Sequence, residues 1–100
     1  AIDLFEFDAL NRRAGIGVII EEEFRSKGFA SEAIELLSDY AFSYLNLYQL
    51  WSTILSSNAA SQRLFEKNNF TKTAAKSEWV LTNGSWNDEF FYQRFNPKPA

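Results

Sequence analysis

A short glycine-containing loop in front of a helical pattern is the segment best suited to chemistry. Residues 25–30 read Arg-Ser-Lys-Gly-Phe-Ala. Small residues at Gly28 and Ala30 allow the backbone to approach an anion, and the following helix offers unpaired N–H groups and the positive end of its dipole. Arg25 and Lys27 add positive charge nearby. The loop therefore fits a pyrophosphate group, although an ordinary glycine turn before a helix would have the same residues.

The helix after this loop is the clearest element in the sequence. Its apolar residues follow the i, i+3, i+4, i+7 pattern that predicts one buried face packed on a sheet. These residues are Ala30, Ala33, Ile34, Leu37, Tyr40, Ala41, Tyr44 and Leu45. The residues predicted for the opposite, polar side are Glu32, Glu35, Ser38, Asp39 and Ser43.

Five strands are predicted around this helix, at residues 2–7, 14–20, 49–55, 70–82 and 85–95. A second helix begins at the N-cap Asn58 and runs to about Asn68. The order is strand, strand, helix, strand, helix, strand, strand. Because a strand–helix–strand unit joins parallel strands and hairpins join antiparallel ones, we expect an α/β fold with a mixed sheet and two helices.

Three kinds of turn or backbone signal refine this outline. Asn83-Gly84 predicts a tight hairpin between the last two strands. Asn69 stands where a helix commonly ends in a left-handed residue. Gly15 and Gly17 are poor strand residues, so they predict either a bulge or a ligand that approaches the backbone of the second strand.

Composition excludes several kinds of site. The 100 residues contain no Cys and no His, so catalysis must use carboxylates, hydroxyls, lysine or oriented backbone rather than a thiolate or an imidazole. The net charge of −3 argues against nucleic-acid binding. No apolar run approaches a membrane span of about 20 residues. We expect a cytoplasmic protein without a metal or a membrane partner.

A second motif follows thirty residues after Gly28. Residues 58–70 read Asn-Ala-Ala-Ser-Gln-Arg-Leu-Phe-Glu-Lys-Asn-Asn-Phe. The first loop resembles motif A of the GNAT superfamily, Q/R-x-x-G-x-G/A, with Arg25, Gly28 and Ala30 matching. The second motif resembles that family's N-x-x-S/A-x-x-L-[YF]-E-K-x-G-F segment. The resemblance covers nearly the whole chain and is closest to the spermidine and ribosomal-protein alanine N-acetyltransferase branch.

The resemblance implies an acyl-CoA N-acyltransferase fold that lacks its first strands and helices. It implies the spatial strand order first, second, third, fifth, then fourth. It also implies that strands 14–20 and 49–55 splay apart and that acetyl-CoA lies between them. A primary amine would attack the thioester directly, and backbone N–H groups of the first of these strands would stabilise the oxyanion. The residues placed at the cofactor are Val18, Ile19, Ile20, Arg25, Ser26, Lys27, Gly28, Phe29, Ala30, Asn58 and Phe65.

Two departures from the family pattern bear on this mechanism. Members commonly carry a Tyr that protonates the departing thiolate, and this chain has Phe65 there. Ser61 and Tyr92 are the hydroxyls that could supply the proton instead, while Phe65 could equally be a core residue under the second helix. Asn69 replaces the usual Gly, which we expect the fold to tolerate.

Other expectations concern acceptor, assembly and function class. Glu21, Glu22 and Glu23 would attract a polyamine, or would simply form a solvated loop. Residues 1–96 are interpreted as the C-terminal part of the acetyltransferase domain, and 97–100 as a flexible tail. The sequence has no Met and starts within a strand, from Ile2 to Phe7, so we expect a fragment whose first strand pairs with missing residues or with another copy. The alternatives to an enzyme are a silent CoA-binding or assembly module and a structural domain that does not bind CoA.

Overall fold

The computed structural model describes residues 2–18 and 28–99. These residues form five strands, two α-helices and one π-helical turn. The strands are β1 (Ile2–Asp8), β2 (Arg13–Val18), β3 (Gln49–Leu55), β4 (Thr71–Thr82) and β5 (Ser85–Phe95). The helices are α1 (Phe29–Asp39), continued by a π-helical turn (Tyr40–Tyr44), and α2 (Ala59–Lys67). Residues 19 and 20 of the predicted second strand lie outside the described residues.

The sheet has the order β1-β2-β3-β5-β4, which confirms the predicted mixed α/β architecture. β2 and β3 are parallel, and the β1–β2, β3–β5 and β4–β5 pairs are antiparallel. The β4–β5 hairpin turns at Asn83 and Gly84, whose φ angles are 50° and 78°, as the Asn-Gly pair predicts. Asn69 after α2 is left-handed with φ 68°, so this prediction is also confirmed.

The two helices pack on one face of the sheet. Along β3 the residues Leu50, Ser52 and Ile54 are buried while their neighbours are more exposed, which is the alternation of a strand with one covered face. They join a single apolar core with residues of both helices and of the loops beside them. The core comprises Ala14, Ile16, Ile34, Ala41, Phe42, Leu47, Leu50, Ile54, Phe65, Phe70 and Tyr92.

The end of the first helix differs from the prediction. The chain widens into a π-helical turn after Asp39, and the Leu45 N–H donates to the Tyr40 carbonyl at 3.1 Å. This turn brings the adjacent Ala41 and Phe42 into the core, while Tyr40 and Tyr44 stack on each other outside it, 48% and 70% exposed. The prediction that both tyrosines belong to the buried stripe was wrong.

Ser38 is the second correction on this helix, because it is fully buried rather than on the polar side. The buried residues advance in steps of four, from Ala30 to Ile34 to Ser38, so the covered face follows the i+4 ridge of the helix. A serine is small enough to lie on this ridge against the sheet.

Aromatic side chains cover part of the other face of the sheet and explain the glycines of β2. Phe5 is the cross-strand partner of Gly15, and a Cβ on Gly15 would lie 2.5 Å from the Phe5 ring. The ring of Phe5 meets Trp51 edge-on, with centroids 5.1 Å apart, and Trp51 stacks on Phe91 at 5.7 Å. Gly15 therefore makes room for a neighbouring aromatic ring. Within the described part of the chain, no helix is long and apolar enough to cross a membrane.

Candidate active site

The parallel strands β2 and β3 separate about halfway along their length. Their register joins Arg13 to Gln49, Ala14 to Leu50 and Gly15 to Trp51. β2 nevertheless continues to Val18, where it pairs with Ile2 of β1, and β3 continues to Leu55, where it pairs with β5. Past the Gly15–Trp51 pair, both strands are therefore bonded on their outer sides, and a gap opens between them.

A cavity of 340 Å³ occupies this gap, and we call it the splay cavity. Its walls include Ile16, Gly17 and Val18 from β2 and residues 52–55 from β3. Phe5 closes it on the face away from the helices, while Asn58, Ser61 and Phe65 line it on the helix side. Past the Gly15–Trp51 pair, the cavity therefore borders β2 backbone that is not paired with β3.

The start of α2 is fixed beside the cavity by two polar side chains. Asn58 caps the helix, since its Oδ1 accepts a hydrogen bond from the Ser61 N–H at 3.1 Å. The Gln62 amide donates to the carbonyls of Leu55 and Ser56, at 3.2 and 3.0 Å, and ties the helix to the end of β3. The capping role of Asn58 is confirmed, and its Nδ2 is the group left to donate to a ligand in the cavity.

The start of α1 is formed by a left-handed turn at Gly28. Gly28 is the N-cap residue, with φ 75° and ψ 2°, a left-handed conformation that glycine adopts without steric cost. A Cβ on Gly28 would have no heavy atom within 4 Å, so the space above this backbone is open. Phe29 is exposed and Ala30 is buried against the core.

Several predicted cofactor residues lie outside the described residues. These are Ile19, Ile20, Arg25, Ser26 and Lys27, together with the acidic residues Glu21, Glu22 and Glu23. The structure therefore brings together Val18, Asn58, Ser61 and Phe65 around one cavity.

Phe65 is a core residue that also lines the splay cavity. Its side chain is only 3% exposed and meets Phe70 edge-on, with centroids 5.0 Å apart, so it is a core residue. It also lines the splay cavity beside Ser61.

Tyr92 is placed differently from Ser61. Its side chain is fully buried in the core, and its hydroxyl donates to the Glu66 carboxylate at 2.8 Å. Burial, together with the hydrogen bond to Glu66 and the negative charge of Glu66, raises the pKa of Tyr92 to about 12. Tyr92 does not line the splay cavity, and its proton is already engaged.

Glu66 is a residue that the sequence analysis did not single out. Its bond to Tyr92 joins the last turn of α2 to the middle of β5. Glu66 does belong to the second motif, where it directly follows Phe65. The sequence does not show, however, which strand residue would contact it.

Comparisons with known proteins agree with this geometry. The family model described as an acetyltransferase (GNAT) domain matches residues 1–71. A probable N-acetyltransferase of Bacillus subtilis is 33% identical over 84 residues, which are 84% of this chain and 46% of that protein. The spermidine N(1)-acetyltransferase of Escherichia coli K12 is 31% identical over 85 residues, covering 85% of this chain and 46% of the relative.

A solved structure extends the match to the whole fold. The spermidine N-acetyltransferase from Vibrio cholerae, in complex with CoA and spermine, superposes with a TM-score of 0.89 at 28% identity. The match covers 97% of this chain and 57% of that one. The chain thus spans about half the length of the curated relatives it matches. The family-model match, together with the shared fold, shows that the chain belongs to the GNAT acetyltransferase family.

Proposed function

We propose that this chain supplies the acetyl-CoA-binding part of an N-acetyltransferase that acetylates a primary amine. The observation that carries the proposal is the splay cavity, where backbone of β2 is not paired with β3 and the start of α2 forms one wall. The relatives named as spermidine N-acetyltransferases, and the neighbour solved with CoA and spermine, support the same chemistry.

The residues present fit the proposed co-substrate. A pantetheine arm carries amide groups, and the stretch of β2 that ends at Val18 offers backbone hydrogen-bonding groups along the cavity wall. Asn58 would donate to the same arm from the other side. The open left-handed turn at Gly28, at the start of α1, would bind the pyrophosphate with Phe29 and Ala30. Ile19, Ile20, Arg25, Ser26 and Lys27 stay predictions for this site.

The reaction requires one bond to form and one to break. The nitrogen of the neutral amine bonds to the thioester carbon, the carbon–sulfur bond breaks, and the nitrogen loses a proton while the sulfur gains one. Ser61 is our candidate for protonating the sulfur, because it lines the splay cavity. The proposal omits Tyr92, since its hydroxyl donates to Glu66 and does not line the cavity.

A silent CoA-binding module is the second candidate, and Phe65 favours it because a phenyl ring has no proton to give. Two measurements separate the possibilities. Calorimetric binding of CoA to this chain would support either candidate, and absence of binding would refute both. Acetyl transfer by the natural full-length protein to a panel of primary amines would then support the enzyme over the silent module.

We further propose that β1 pairs with an additional strand along its outer edge. β1 is the first strand in the sheet order, and its aromatic residues Phe5 and Phe7 are 36% and 55% exposed. A neighbour in the fold comparison is a dodecameric spermidine N-acetyltransferase, which supports assembly with further copies. Hydrogen exchange of the β1 amides at increasing protein concentration tests this, and unprotected amides at all concentrations would contradict it. Cytoplasmic location stays a prediction, which cell fractionation would test.

A further inference from the structure

Ser52 places a nearly buried hydroxyl on the wall of the splay cavity. Its side chain is only 6% exposed and lines the cavity from β3. Its cross-strand neighbour Tyr92 donates to Glu66, and among the described residues the Ser52 hydroxyl has no hydrogen-bond partner. Because a buried hydroxyl without a partner costs free energy, a molecule in the cavity is the partner that Ser52 can take.

A second buried serine shows what is particular to Ser52. Ser38 of α1 is fully buried, and within the described part of the chain its hydroxyl also has no partner. The Ser38 Oγ is closed off inside the core and does not line the splay cavity, whereas the Ser52 Oγ is not closed off in this way. Of the two hydroxyls, that of Ser52 is therefore the one that can reach a molecule in the cavity.

Ser52 lies where the two parallel strands are still close together, which we call the closed end of the splay cavity. It is the first residue of β3 past the last β2–β3 pair, and Ile16 is the first residue of β2 past the same pair. Val18 lies at the other end, from which the chain continues to α1 and the Gly28 turn. With the pyrophosphate at Gly28, as proposed above, the pantetheine arm runs inwards from the Val18 end and brings the sulfur towards Ser52.

The surroundings of Ser52 are apolar, and this decides what its hydroxyl would do. Ile16, Ile54 and Phe65 line the same cavity and are at most 5% exposed. A thiolate in such a cleft is destabilised by the loss of water, so a single hydrogen-bond donor matters more there than in solution. The sulfur of a thioester is a weak acceptor, while hydrogen bonds to a charged atom are strong. The bond from Ser52 would therefore strengthen as the carbon–sulfur bond breaks.

We propose that Ser52 is a catalytic residue whose hydroxyl donates a hydrogen bond to the CoA sulfur as the thiolate leaves. This rests on the acetyl transfer proposed above and adds a residue to it. The electron pair of the broken carbon–sulfur bond goes to the sulfur, and Ser52 stabilises this charge while it keeps its own proton. Ser61 passes one proton to the sulfur and regains one from water, which takes up the proton that the amine releases.

Removal of the Ser52 hydroxyl should slow the chemical step without weakening substrate binding. In the natural full-length protein, Ser52→Ala should lower kcat about tenfold, because the lost bond forms to charge that develops in the transition state. KM for acetyl-CoA should stay unchanged, and melting curves should show no loss of stability, since the variant removes a buried hydroxyl without a partner. An unchanged kcat, or a KM that rises while kcat stays constant, would overturn the proposal.

Ser38→Ala is the matched control. It removes an equally buried hydroxyl that also lacks a partner among the described residues and does not line the splay cavity. This variant should leave kcat and KM unchanged. If it lowered kcat as much as Ser52→Ala does, altered packing of the core would explain both effects and the role of Ser52 would be wrong.

Titration of bound CoA separates the role of Ser52 from acetyl transfer. A thiolate absorbs ultraviolet light more strongly than a thiol, so the pKa of the bound CoA thiol can be measured without any acceptor amine. Ser52→Ala should raise this pKa by about one unit relative to the wild type, and Ser38→Ala should not change it. If no amine is acetylated but this shift is found, acetyl transfer fails while the contact between Ser52 and the sulfur stands. If amines are acetylated and the bound thiol titrates identically in all three proteins, the role of Ser52 fails alone.

Discussion

Substitution of Gly28 tests the anion-binding turn most directly. Gly28 has φ 75°, and a Cβ there would meet no heavy atom within 4 Å. Gly28→Val therefore disturbs no core packing, and its cost to folding is the left-handed strain of an L-residue, about 1–2 kcal/mol. In a domain of this size such a loss lowers Tm by roughly 4–16 °C.

The same side chain would project into the space that we assign to the pyrophosphate. If about two charge-assisted hydrogen bonds are lost, CoA binding weakens by about 2 kcal/mol or more, which is roughly a thirtyfold rise in Kd. We expect Gly28→Val to stay folded. Its affinity for CoA should fall by more than any unfolded fraction of the protein would account for.

Gly84 provides the matched control. It has φ 78° and also no heavy atom within 4 Å of a built Cβ, but it lies at the tip of the β4–β5 hairpin. Gly84→Val should carry similar backbone strain and leave CoA binding unchanged. Titration calorimetry at a temperature where both variants are folded gives the comparison. Unchanged affinity in Gly28→Val, or equal loss in both variants, would refute the assignment of this turn.

Four further variants test individual side chains. Phe65→Tyr should raise the acetylation rate of the full-length protein or leave it unchanged, and Ser61→Ala should lower that rate. Initial rates and melting curves of both variants test this. If Phe65→Tyr only destabilises the core and Ser61→Ala leaves the rate unchanged, the prediction is wrong. Tyr92→Phe should cost about 2 kcal/mol at neutral pH. Because the raised pKa of Tyr92, about 12, favours its neutral form in the folded state, that contribution is present below about pH 10 and is lost towards pH 12. If this reasoning is wrong, denaturant unfolding will show the same difference in unfolding free energy between Tyr92→Phe and the wild type below about pH 10 and towards pH 12. Asn58→Asp keeps the capping oxygen but removes the Nδ2 donor, so it should weaken CoA binding while stability stays within about 0.5 kcal/mol of the wild type; equal affinity would limit Asn58 to capping.

Local backbone chemistry explains why much of the fold is predictable from sequence. The Asn83-Gly84 turn, the left-handed Asn69 and the Asn58 cap each depend on a few neighbouring residues, and all three are confirmed. The strand order confirmed here came with the family resemblance, since parallel and hairpin connections alone allow other orders.

Features that depend on distant partners were the ones missed. Helical periodicity does not distinguish a continued α-helix from the π-helical turn after Asp39, so it placed Tyr40 and Tyr44 in the core. The glycines of β2 predicted that some group approaches the backbone of this strand, but not which group. The register between β1 and β2 places the Phe5 ring over Gly15. The Tyr92–Glu66 bond joins residues 26 positions apart, which no local pattern specifies.

The splay cavity follows from where the ends of β2 and β3 find their hydrogen bonds. β2 stays paired with β1 as far as Val18, and β3 stays paired with β5 as far as Leu55. The next residue, Ser56, exchanges bonds with Asp88: its N–H donates to the Asp88 carbonyl at 2.9 Å, and its hydroxyl accepts from the Asp88 N–H at 3.1 Å. Gln62 holds the carbonyls of Leu55 and Ser56 from α2. Each strand end is held by hydrogen bonds on its outer side. The backbone N–H and C=O groups that β2 and β3 turn towards each other can therefore stay apart without a folding penalty when a ligand or water bonds to them. Replacing Gln62 alone should therefore loosen the cavity wall. It should lower the affinity for CoA more than it lowers the stability of the core.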